Sequence, residues 1–464
     1  MIASLKPYPE YKDSGLPWLG RVPGHWGMRR AKVLLRERVE KGFPNEPLLA
    51  ATQSKGVVRK EDYGTRTVTA QKDFHLLKLV EVGDFVISLR SFEGGIEVAH
   101  SRGIISPAYT VLEPRSKATS GYLRHFFKSP TFISSLTLFV TGIREGQNID
   151  YERLSRAFLP LPPDEEQAAI VRFLDHATQR LDKAIRAKRK TIALLNEQKQ
   201  AIIHRAVTRG LPSTGSGQAV PLKDSGIPWL GQIPAHWEVR KLRSLFHAQG
   251  SGTTPSGDRY YGGSINWVMS GDLNDSVVMR TKRTVHGQAL TAYSTLKLYP
   301  PNSLVVAMYG ATIGKTGLLG ESACTNQACC VLAQAKPDVN VALIQLVLQA
   351  AKPHLLREAY GGGQPNINAD VVRSLRVPFQ PFEEQNQILA QVENATSRLT
   401  ITISRIEREI ELLREYRTSL IADVVTGKLD VREAAARLPE VAGAIADELA
   451  EMEESGEELA EENI

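Results

Sequence analysis

The chain has little cysteine. Three of its 464 residues are Cys324, Cys329 and Cys330, all within seven positions and with no C-x-x-C pair. That argues against a disulfide framework and against a structural zinc site. Buried small apolar side chains are the expected role. Long apolar runs are missing too. No stretch of 18 apolar residues occurs, so no transmembrane helix and no membrane partner are expected. The start, Met1 to Pro7, lacks the apolar core of a signal peptide, which predicts a cytoplasmic location. Global disorder is excluded by 42% hydrophobic and 23% charged residues.

The net charge is +6, and it is unevenly spread. From Glu440 to Ile464 there are ten acidic residues and no Lys or Arg. The preceding 439 residues therefore carry 57 basic against 41 acidic groups, or +16. A basic body suits an acidic partner such as nucleic acid.

An internal repeat organises the chain. Residues 12–26 read KDSGLPWLGRVPGHW and residues 223–237 read KDSGIPWLGQIPAHW, identical at eleven of fifteen positions with an offset of 211. Four of the five tryptophans, Trp18, Trp26, Trp229 and Trp237, lie in these segments. His25 and His236 stand beside equivalent tryptophans, where packing of a shared frame is the expected role. A second echo pairs GQNIDYERLSRAFLPLPPDEEQ (146–167) with GQPNINADVVRSLRVPFQPFEEQ (363–385). Each copy runs from a Gly-Gln turn through an apolar strand, Ala157-Phe158-Leu159 or Leu375-Arg376-Val377, to Glu-Glu-Gln.

After each Glu-Glu-Gln the apolar residues recur at steps of three, four and seven, the pattern of a coiled coil. Val392, Leu399, Ile406, Leu413 and Leu420 form an unbroken series of sevens, and neither Pro nor Gly interrupts either run before Gly210 and Gly427. A helix of about 40 residues spans roughly 60 Å. One such helix hides little surface alone, so each predicts the other as its partner. The expected fold is mixed α/β (α+β). Two globular domains alternate with two long helices that pair as an antiparallel coiled coil, and the halves are related by a pseudo-twofold axis. The expected boundaries are 1–162, a first domain; 163–210, the first helix; 211–380, a second domain; 381–429, the second helix; and 430–464, the acidic tail. Leu211–Val220, rich in Gly, Ser and Pro, reads as a linker.

Several catalytic signatures fail. Gly310-Ala311-Thr312-Ile313-Gly314-Lys315-Thr316 is one residue short of a phosphate loop, and Tyr309 stands where its first glycine belongs. A strand–turn–strand loop is expected there. Asp164, Glu197 and Lys199 imitate a nuclease metal site only on paper, because helical rise puts Asp164 roughly 50 Å from Glu197. The Asn/Asp-Pro-Pro-Tyr/Phe tetrapeptide of amino-methyltransferases and the G-x-S-x-G elbow are both missing.

Basic and aromatic loop residues fit nucleic acid better. In the first half these are Gln53, Lys55, Arg59, Tyr63, Arg66, Arg90, Phe92 and Arg144. In the second they are Thr254, Ser256, Arg259, Tyr260, Tyr309, Thr312, Lys315 and Gln364. Such side chains read base edges or fix register on phosphates. Each alone reads as a solvated loop residue; the set carries the reading.

The doubled KDSG-[IL]-PWLG-x-[IV]-P-x-HW resembles the specificity subunit of type I restriction-modification systems. GTTPS (252–256), NWVMSGDL (266–273), YGATIGKTG (309–317), GIISPAY (103–109) and EYRTSLIADVVTGKLDVR (415–432) add to the resemblance, which covers about Tyr8 to Arg432. It implies two target-recognition domains, each reading half of a bipartite site on double-stranded DNA, with the helices setting the spacer. It implies two methyltransferase subunits docked on the frame and two restriction-translocase subunits joining them. It implies no catalysis and no cofactor in this chain, the partners using S-adenosylmethionine, ATP and Mg²⁺. The acidic tail lies beyond the resemblance. The competing expectation is a coiled-coil scaffold whose globular domains bind protein.

Overall fold

The computed structural model describes residues 5–53, 55–63, 73–89, 91–141, 148–210, 221–360 and 365–439. The chain divides into two compact units, Met1–Ala187 with Arg408–Ile464, and Lys188–Glu407. Each unit thus takes its interior from one half of the sequence and its helical base from both long helices.

Both units are built on the same frame, and the repeated motif explains why. In KDSG, the Asp13 carboxylate accepts from Gly15 N at 2.8 Å and the Ser14 hydroxyl accepts from Leu16 N at 3.1 Å. Asp224 and Ser225 do the same for Gly226 and Ile227 at 2.9 and 3.1 Å. These side chains stand in for backbone and tighten the turn. Gly15, Gly20, Gly226 and Gly231 supply the left-handed residues it needs, with φ between +63° and +73°. The hairpins that result, Tyr11–Asp13 with Arg21–Pro23 and Leu222–Asp224 with Gln232–Pro234, share one register. A second antiparallel ladder follows in each unit, Gly27–Arg30 with Phe158–Leu161 and Glu238–Lys241 with Arg376–Phe379. The ladders end on matching hydrogen bonds, Ala31 N to Ala157 O and Leu242 N to Leu375 O, both 2.8 Å. Each interior therefore leaves and re-enters its frame through the same gate.

The interiors differ. In the first unit a four-stranded antiparallel sheet runs in the order Leu35–Arg38, Thr110–Pro114, Phe85–Ile87, Glu97–Val98. The helices Lys117–Phe126 and Pro130–Ser135 add aromatics to its core, where Phe126, Phe127 and Phe132 have ring centroids 4.8–6.2 Å apart. In the second unit a five-stranded sheet runs Phe246–Gly250, Cys329–Ala335, Leu304–Ala307, Thr316–Leu319, Ser276–Val278, its last pair parallel. The helix Val341–Arg357 contributes Leu343, Ile344, Val347, Leu348 and Leu355 to the core. Cys324, Cys329 and Cys330 are buried free thiols. Burial pushes Cys324 up to about 12 and Cys330 up to about 11. No thiolate is available at neutral pH, in keeping with a packing role.

The long helices run Asp164–Arg209 and Phe382–Val425, 46 and 44 residues. Gln167 Nε2 donates to Pro162 O, and Gln385 Nε2 to Gln380 O, both at 2.8 Å, which fixes each helix start. Gly210 at φ +70° and Gly427 at φ +76° close them, left-handed caps that relieve the last carbonyls. Between Val392 and Leu420 of the second helix the buried or half-buried positions are Val392, Thr396, Leu399, Ile403, Ile406, Ile410, Leu413, Arg417 and Leu420, alternating steps of four and three. The heptad pattern is therefore real, with two polar residues, Thr396 and Arg417, among its apolar positions. Thr396 tolerates burial because its hydroxyl donates to Val392 O at 2.8 Å.

The helices pack together and run antiparallel. In the first unit Arg417 Nη1 donates to Asp182 at 2.9 Å, and in the second Lys199 Nζ donates to Thr400 at 3.1 Å. Seventeen residues on along the first helix, the partner lies seventeen back along the second.

Candidate nucleic-acid interface

The duplicated His-Trp pairs meet the duplicated Glu-Glu-Gln. Trp26 Nε1 donates to Glu166 Oε1 at 2.8 Å and His25 Nε2 lies 2.7 Å from Oε2. Trp237 and His236 meet Glu384 at 2.9 and 2.8 Å. Both tryptophans are fully buried. One carboxylate thus ties the hairpin to the first turn of the long helix, where its charge also suits the helix dipole. The first copy is more heavily loaded, because the buried Tyr8 hydroxyl donates to Glu166 as well. Burial, then the bond to Glu166, pushes the Tyr8 phenol well up. These histidines hold the frame together, as their position in the repeat predicts.

The sequence-selected residues of the first interior fall into three places. Gln53 and Lys55 sit at the turn between strands Leu49–Thr52 and Gly56–Arg59, and both are exposed. Thr52 shapes the turn by accepting from Lys55 N at 2.9 Å and donating to Gly56 O at 2.9 Å. Arg59 is exposed at the strand end, 3.8 Å from Glu61, and Tyr63 closes the short turn Glu61–Tyr63. Phe92 is half-buried against the core. Arg66, Arg90 and Arg144 lie outside the described residues.

In the second interior four of the selected residues form one surface. Thr254 Oγ1 donates to Gln327 Oε1 at 2.7 Å, and Ser256 N donates to the Tyr293 hydroxyl at 2.9 Å. Arg259 lies 4.8 Å above the Tyr260 ring, which meets Tyr293 edge-on at 5.4 Å. Tyr309, Thr312 and Lys315 form a separate tight turn. It joins strands Leu304–Ala307 and Thr316–Leu319 as a hairpin, with Val306 opposite Thr316. Thr312 Oγ1 donates to Tyr309 O at 2.7 Å. This is the strand–turn–strand loop the spacing predicts. Gln364 lies outside the described residues.

The structure adds cations that the sequence did not single out. Beside the Gln53–Lys55 turn lies a cleft of about 560 Å³. Lys55, Arg124, Lys128, Arg414 and Arg417 line it, against two carboxylates, Glu97 and Asp175. They come from a hairpin, the helix Lys117–Phe126, the turn after it and the far end of the second long helix. Arg124 and His125 bind Asp175, Lys128 binds Glu97, and Arg417 binds Asp182. Glu97 is pushed up by burial, against the pull of Lys128. For Asp175 burial is outweighed by the hydrogen bond from His125 and the charge of Arg124, so it is held below the usual range. Among the described residues Lys55 and Arg414 have no carboxylate partner. The cleft is therefore net positive, with two cations free to meet an anion.

The chain is similar to known proteins along most of its length. Residues 234–412 match the family described as Type I restriction modification DNA specificity domain. The type I restriction enzyme MjaVIII specificity subunit of Methanocaldococcus jannaschii is 24% identical over 365 residues, covering 76% of this chain and 81% of that protein. The type I restriction enzyme EcoBI specificity subunit of Escherichia coli is 23% identical over 322 residues, covering 66% of each. A chain solved in work on complex assembly and conformational transition of the type I R-M system has the same fold. Its TM-score is 0.58 at 15% identity, covering 88% of this chain and 99% of that one. The two units share a duplicated frame around unlike interiors. By its matched domain and these relatives, this chain is similar to the specificity subunits of type I restriction-modification systems. No relative among these supports a scaffold for protein alone.

Proposed function

We infer that this chain is the DNA-recognition subunit of a type I restriction-modification complex, each interior reading one half of a bipartite target. The observation that carries this is the pairing of identical frames with different interiors. Ala31–Ala157 and Leu242–Leu375 close the same gate around unlike sheets. A frame copied for posture and interiors free to diverge suit two readers of two half-sites. Residues 1–162 and 211–380 are the recognition domains, 163–210 and 381–429 the helices that set the spacer, and 430–464 the tail.

Gln53, Lys55 and Arg59 in the first head, and Thr254, Ser256, Arg259 and Tyr260 in the second, are assigned to DNA contact. Lys128, Arg124, Arg414 and Arg417 hold phosphates beside the first. The outer faces of the long helices dock methyltransferase subunits, two because the frame is duplicated, and two restriction-translocase subunits join that complex. Those partners supply the S-adenosylmethionine, ATP and Mg²⁺ chemistry, and the recognition chain does none.

Methylation mapping of DNA from a strain carrying this chain with its methyltransferase tests the reading. A single target of two short defined elements separated by a fixed run of unread bases is expected. One continuous target, or methylation independent of this chain, would overturn it.

A further inference from the structure

We propose that the acidic tail, residues 440–464, docks in the cationic cleft of the first unit and competes there with duplex DNA. This rests on the cleft's assignment to DNA phosphates for its function, but not for the docking itself. Three observations carry it. The first is charge: the tail holds ten carboxylates and no Lys or Arg, and the cleft is net positive, with Lys55 and Arg414 lacking a carboxylate partner among the described residues.

The second is where the tail begins. Arg172 Nη2 donates to Leu438 O at 2.5 Å and to Pro439 O at 3.1 Å, anchoring the last described residue of the chain on the first long helix. Asp175, one turn further along that helix, lines the cleft. Positions i and i+3 share a helix face, roughly 5–6 Å apart. The tail is therefore delivered to the rim of the cleft. The third is reach. At roughly 3.3 Å per residue the 25 residues from Glu440 to Ile464 can extend roughly 80 Å, well beyond the span of a cleft of about 560 Å³. Carboxylates and backbone phosphates seek the same cations, so tail and duplex exclude each other.

Zero-length carbodiimide coupling of the full chain tests the docking. Amide bonds between tail glutamates and Lys55, mapped by mass spectrometry, are the expected result. The Lys128–Glu97 pair gives an internal control, since these groups are already in contact. Tail links confined to lysines elsewhere, or none when the control forms, would overturn the docking.

The second arm compares the full chain with one whose tail carries Asp447→Asn and Gln at each of its nine glutamates. Affinity for a duplex lacking the target should rise about tenfold at ~50 mM salt, and the gain should vanish near ~0.5 M. Equal affinity of the two chains would overturn the competition. If neither form binds DNA while the Lys55 link forms, the docking stands and the DNA reading falls.

Discussion

Glu166 and Glu384 occupy the same place in the repeat but carry different loads. Glu166 is 4% exposed and receives three donors, the Tyr8 hydroxyl, Trp26 Nε1 and His25. Glu384 is 27% exposed and receives two, one from the half-exposed His236. A buried donor stripped of its acceptor costs about 1–3 kcal/mol. Glu166→Ala strands two such donors and should destabilise its unit by about 3–5 kcal/mol. Glu384→Ala strands one, Trp237 Nε1, and should cost about 1–2 kcal/mol. Urea unfolding of the two variants against the parent checks this. Equal losses, or a larger loss at Glu384, would show that the shared motif rather than the local load sets the stability. The repeat made the glutamates visible in the sequence. The asymmetry was not visible, because Tyr8 lies outside the repeated segment.

Among the elements, the long helices were the most legible. Their apolar period of sevens needs no tertiary context to be read, and caps at both ends are local. The exceptions are instructive. Thr396 stands in the seam because its hydroxyl bonds back to Val392 O, a local satisfaction that hydropathy does not register. Arg417 holds a seam position by pairing with Asp182, a contact between residues 235 positions apart. The antiparallel register has a functional corollary. One extra heptad at matched positions in both helices keeps the seam in phase and adds about 10.5 Å of helix. If the helices set the spacer as proposed, it should lengthen by about three base pairs at 3.4 Å each while both half-sites stay the same. Methylation mapping reads this directly; an unchanged spacer would remove the helices from the role of ruler. An insertion of four residues rotates the seam out of register, and it should cost folding instead of changing the target.

At the scale of the whole molecule, the duplicated frame was legible because it repeats, and the cationic cleft was not. Arg124 and Lys128 sit four apart near one helix end, and Arg414 and Arg417 three apart on another. In sequence each pair is indistinguishable from solvated helix charge; only folding brings together segments some 290 residues apart. The interiors were hidden for a related reason, since each sheet is set by long-range pairing within a divergent segment. The frame fixes how those interiors can be exchanged. The strand Gly27–Arg30 pairs with Phe158–Leu161, so it belongs to the frame even though it follows the repeated motif directly. An exchange should therefore replace residues 31–157, leaving the Ala31–Ala157 hydrogen bond to close the new interior, which backbone atoms of any residues but proline can do. A chain carrying another family member's segment there should fold, dock the same methyltransferase and change one half-site of the methylated target while keeping the other and the spacer. A change in both half-sites would mean that the interiors do not read independently, and would remove the reason for building one frame twice.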